Sequence, residues 1–128
     1  MNYHISKIVD APLDEARQRV VDALADAGFG ILTEIDVQAT MKKKLDRDMK
    51  PYVILGACNP EMAWQAMQHE PKIGTMLPCN VIVREIDSGR SEVSAVDPEA
   101  SMQAIENPKL TEVAGQVRKR LEGVIDAI

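Results

Sequence analysis

Aromatic side chains are almost missing from this sequence: one Trp, two Tyr and one Phe in 128 residues. A core of stacked rings is excluded, and the 45% of residues that are hydrophobic must pack as an aliphatic interior with seven Met as adaptable filler. Positive charge is short as well. Fifteen Lys and Arg stand against 20 Asp and Glu, for a net charge of -5. Phosphate backbones demand a concentrated surplus of Lys and Arg, so no nucleic-acid partner is expected. Long apolar runs are also missing, and no window approaches the ~18 to 20 residues of a membrane-spanning helix. Residues 1–7 show no basic stretch leading into an apolar run, so no secretory leader and no membrane partner are expected. The expectation is a cytoplasmic protein whose thiols stay reduced.

Cysteine is scarce too, with two in the chain. Two thiols cannot staple a fold, and a structural zinc site usually takes four Cys or His ligands. Neither His4 nor His69 lies at a ligand-like spacing from a cysteine, so no metal site is expected. The sequence contains no C-x-x-C pair, Gly-rich phosphate loop, dinucleotide fingerprint, His-Glu-x-x-His pair or calcium loop, and no nucleophile-base set stands out. No catalytic residue is assigned, and no cofactor is specified.

What the chain does carry is punctuation. Pro12, Pro60, Pro98 and Pro108 each precede a segment of helical periodicity, and Asn59, Asp97 and Asn107 stand directly before three of them as capping side chains. Leu13, Ala16, Val20, Leu24 and Ala27 form one apolar stripe, which Gly28 ends. Leu110, Val113, Ala114, Val117, Leu121, Val124, Ile125 and Ile128 form another. Between these helices the period shortens to that of strands. Tyr3, Ile5 and Val9 alternate with polar neighbours, and Phe29, Ile31, Ile35 and Val37 fall on one side of a second strand. Residues 52–57 read as a central strand buried on both faces. Residues 80–86 and 91–96 read as a hairpin joined at Asp87-Ser88-Gly89-Arg90. With a short helix over 37–45, this order predicts one α+β domain over residues 1–128: a largely antiparallel sheet of about five strands with helices on one face.

The two cysteines sit in matching settings, Gly56-Ala57-Cys58-Asn59-Pro60 and Leu77-Pro78-Cys79-Asn80-Val81. Cys58 closes a strand just before a helix cap, where the helix dipole would lower a thiol pKa; small buried side chains account for the same residues structurally. Cys79 alternates with Val81 and Val83 and should share their face. Asn59 and Asn80 read as pocket-rim groups or as structural caps, and Lys42, Lys43 and Lys44 as an anion-attracting cluster or a solvated helix face. Trp64 sits at the edge of its helix stripe, where a pocket lip, a partner surface or core packing would each place it.

These motifs, with Val96-Asp97-Pro98 and residues 28–37, resemble the domain-of-unknown-function 302 family over essentially the whole chain. The resemblance implies a TATA-binding-protein-like α+β fold and a homodimer, and no activity. The leading functional expectation is a small apolar or weakly polar ligand, or a protein partner, in a cleft near Cys58 and the 74–80 loop. Cys58, Asn59, Trp64, Met76, Cys79 and Asn80 would bind it. The alternatives are thiol-based redox or metal-ion handling through Cys58 and Cys79, and a homodimeric interaction module.

Overall fold

In the computed structural model, which describes residues 2–128, the chain begins β1 (His4–Val9), α1 (Leu13–Asp26), β2 (Gly30–Asp36), α2 (Val37–Leu45) and β3 (Tyr52–Cys58). It continues through α3 (Pro60–His69), a 3-10 turn (Pro71–Met76), β4 (Cys79–Asp87), β5 (Arg90–Val96), α4 (Pro98–Ser101) and α5 (Pro108–Ala127). The capping signals explain the helix starts. Asn59 Oδ1 accepts from the Met62 N–H at 3.2 Å, Asp97 Oδ1 from Glu99 N–H at 3.0 Å, and Asn107 Oδ1 from Lys109 N–H at 3.1 Å. Each satisfies a donor that the helix itself leaves unpaired. Pro12 differs. It is the N-cap of α1 and not its first helical residue, and Asp14 and Glu15 in the first turn complement the dipole instead.

The five strands form one antiparallel sheet in the order β1-β5-β4-β3-β2. Because β1 and β2 are opposite edges, the α1 connection carries the chain across the whole sheet. Val53, Leu55, Val81, Val83, Val93 and Ala95 point to one face and are buried in a single core with Val20 and Leu24 of α1 and Leu110, Leu121 and Val124 of α5. Helix α2 buries no residue. The other sheet face carries no buried helix, and across it run the paired residues Ile35, Ile54, Ile82, Ser94 and Ser6, apolar at one end and polar at the other.

Three details differ from the sequence reading. A bulge between Ile31 and Thr33 leaves Leu32 exposed and reverses the alternation, so Phe29 is buried whereas Ile35 faces out on the open side. Tyr3 precedes β1 and is exposed. The strand over residues 52–57 is internal but not central, since β4 holds the middle, and Tyr52 and Ile54 on its second face are only half-buried.

Candidate functional site

The matched cysteines come to diagonal positions on neighbouring strands because the excursion between those strands is short. Strand β3 ends at Cys58, the chain leaves through α3 and the 3-10 turn, and it returns at Cys79 as the strand hydrogen-bonded to β3. Ala57 is the direct cross-strand partner of Cys79, so Cys58 lies one residue beyond that pair. Gly56 makes the approach feasible. A Cβ at this position would overlap the Thr33 hydroxyl of β2 and come within 2.8 Å of Cγ of Pro78, which follows a cis Leu77-Pro78 bond. The loop expected over 74–80 is therefore mostly ordered structure: 3-10 turn to Met76, a two-residue link, then strand.

Behind the two cysteines is a cavity of about 40 Å³. Ala57 and Cys58 from β3, Met62 and Ala66 from α3, Leu77 to Cys79 at the start of β4, and Leu110, Val113 and Val117 from α5 line it, with Phe29, Pro98 and Met102 closing the far side. The wall is apolar except for Asn59 and the two thiols. At about 10–15 Å³ per water-sized occupant, the space admits roughly three such units, far below the ~300–1,000 Å³ of sites for larger organic ligands.

Electrostatics separates the two sulfurs. Cys79 is 8% exposed. Its burial pushes the thiol up to about 11, and the nearby Cys58 sulfur, when ionised, pushes in the same direction. Cys79 is therefore a neutral thiol at physiological pH. Cys58 is the half-buried member of the pair, and both are free. Asn59 is buried, with its Oδ1 committed to the cap of α3 and its Nδ2 3.1 Å from where a Cβ on Gly28 would lie. Gly28 has φ +89°, the left-handed conformation that ends α1 and lets Phe29 enter the core beside the cavity.

The cavity gathers Cys58, Asn59 and Cys79 among the residues singled out by the sequence, and leaves Trp64, Met76 and Asn80 outside its lining. Trp64, at 62% exposure, and Met76 face solvent. Asn80 stands opposite Gly56 on the open sheet face. Lys42 pairs with Asp46 at 2.9 Å and Asp48 at 3.1 Å on the exposed face of α2. Among the described residues no three His, Cys, Asp or Glu side chains converge as a metal cluster.

Asn80 instead borders a broad groove of about 670 Å³ on the open face, with Tyr52, Ile82, Arg84, Glu92 and Ser94. Here the β1–β5 register creates a cluster the sequence reading missed: Ser6 Oγ lies 2.7 Å from both His4 Nδ1 and Ser94 Oγ. Ser6 and Ser94 are 88 positions apart, and nothing local signals that they pair. Arg84 also donates to Glu92 at 2.8 Å in this groove.

The comparisons fit this architecture. The model of the family described as domain of unknown function DUF302 matches residues 5–128. The chain belongs to the DUF302 family. The crystal structure of an uncharacterized conserved DUF302 protein from Bacillus stearothermophilus is similar at 27% identity and a TM-score of 0.92, covering 99% of this chain and 98% of that one. No curated protein matches the chain. No described helix is long and apolar enough to cross a membrane. DUF302 membership thus accounts for the fold and assigns no activity.

Proposed function

We propose that the protein binds a compact, apolar or weakly polar ligand in the cavity behind Cys58, with Asn59 at its polar edge and Cys58 at its accessible side. The observation that carries this reading is the almost wholly apolar lining to which the end of β3, the start of β4, α3 and α5 all contribute. The open-face groove is larger, but its His4, Ser6, Ser94, Arg84 and Glu92 side chains already bond to one another, so a ligand using those groups would have to displace existing bonds. Met62 and Met102 give the cavity walls that adapt to small changes in ligand shape.

Titration with the straight-chain alcohols from methanol to pentanol, followed by amide NMR shifts, tests the reading. Saturable shifts at Ala57, Asn59 and Cys79 that fade with the longer chains, and that vanish in Ala66→Leu, are expected. Shifts that grow without saturation or that ignore Ala66→Leu would refute it.

A second reading is thiol-based redox or metal-ion handling, supported by both free cysteines being among the residues around the same cavity, one half-buried and one buried. Self-association as a homodimer is proposed for the open sheet face, where Ile35, Ile54 and Ile82 stand in a row. Light scattering at micromolar concentration should give twice the chain mass; a monomer would remove this proposal.

A further inference from the structure

The cavity behind Cys58 has a neighbour. A groove of about 680 Å³ lies among the start of β1, α4 and α5, and Met102 and Ala114 line both spaces. Residues that border two spaces form the partition between them, and the two halves of this partition differ in kind. Ala114 contributes a single methyl group fixed on the 20-residue helix α5. Met102, at the end of the four-residue α4, contributes a long side chain that is buried in its resting position. We infer that Met102 is the specificity-determining gate of the cavity: the ligand enters from the groove past this thioether, and the resting side chain sets the longest chain that the cavity accepts. This inference rests on the ligand reading above and adds the route of entry and the residue that limits size.

Three features select Met102. Its backbone is pinned, since its N–H donates to Pro98 O and its carbonyl accepts from Ile105 N–H, both at 3.0 Å, so motion falls to the side chain. That side chain is unbranched with three rotatable bonds, whereas Phe29 and Pro98 at the same end of the cavity are stiff rings. Size agrees. The cavity of about 40 Å³ holds short chains only, and a chain that outgrows it into the adjoining groove must push Met102 out of its apolar surroundings, which costs free energy. Longer chains therefore prop the gate open and bind more weakly. Polarity also changes across the gate, because Gln103, Thr111 and the Asp97–Arg118 ion pair line the groove beyond it, Arg118 Nε donating at 3.0 Å. The ligand class that fits is a short unbranched amphiphile with an apolar tail in the cavity and an uncharged polar end.

The test extends the alcohol series to heptanol and follows amide and methionine-methyl NMR signals. Met102→Leu nearly conserves side-chain volume and should keep the wild-type length limit. Met102→Ala should bind hexanol and heptanol saturably, about tenfold or more tightly than wild type, with shifts at Gln103 and Thr111 that wild type lacks. Met62→Ala enlarges the cavity on the side away from the groove, so it should accept longer chains without those groove shifts. In wild type, butanol should move the Met102 methyl signal further than that of Met62 and leave the exposed Met41 and Met76 in place, a readout that stands even where Met102→Ala fails to fold. An unchanged length limit in folded Met102→Ala, equal groove shifts in Met62→Ala, or a silent Met102 methyl while Ala57 and Asn59 respond would overturn the gate and leave the ligand reading standing. Absence of saturable shifts with every alcohol from methanol to pentanol would overturn both.

Discussion

Thr33 of β2 fills the space that a side chain at Gly56 of β3 would need. The two residues are cross-strand partners just after the β2 bulge, and Pro78 presses on the same point from β4's side, 2.8 Å from a Cβ built at Gly56. Three segments thus converge on one glycine, and this convergence brings Cys58 beside Cys79. Gly56→Ala should destabilise the fold by about 1–3 kcal/mol through overpacking. Thr33→Ala in the same chain should recover only part of the loss, because the Pro78 ring remains. Urea unfolding midpoints of the three variants check both statements.

Asn59 links helix start and cavity edge. Asn59→Ala should cost about 1 kcal/mol for the lost cap of α3, and Asn59→Ser should restore most of it because a serine oxygen also accepts the Met62 N–H. Thermal unfolding of the two variants measures the difference. Equal destabilisation by both would show that the amide matters through packing against Gly28 and not through the cap.

The Cys79 thiol gives the chain a pH signature. Its proton is held up to about 11 in the fold, against 9.0 for an unperturbed thiol. Below pH 9 both folded and unfolded chains keep the proton and stability is unaffected. As pH rises from 9 through 11 the unfolded chain releases it first, so stability falls, by roughly 2–3 kcal/mol when fully developed. Urea unfolding from pH 8 to pH 11 should therefore show a steeper loss for wild type than for Cys79→Ala. Parallel curves would contradict the assignment. In native alkylation at pH 8, Cys58 should react well ahead of the buried Cys79.

Much of this architecture was legible in the sequence for local reasons. Asn59-Pro60, Asp97-Pro98 and Asn107-Pro108 encode both the cap and the first helical residue, so each start is fixed within a few positions. The alternation of Cys79, Val81 and Val83 likewise announced a shared buried face. What failed to show depends on register. The bulge at Leu32 moved Ile35 to the other face without any local signal strong enough to overrule the alternation. The His4, Ser6 and Ser94 cluster needs the β1–β5 pairing, and Trp64 and Asn80 needed the direction of α3 and of the open face to be known. Met62 and Met102 read as filler until the fold placed both in the lining of the cavity.

The most direct measurement is a crystal structure under xenon pressure, because xenon is compact, apolar and visible by its scattering. The account predicts a xenon atom in the cavity, in contact with Cys58, Cys79 and Met62, and its loss in Ala66→Leu. A cavity that stays empty while xenon occupies other sites, or a bound atom unaffected by Ala66→Leu, would contradict it.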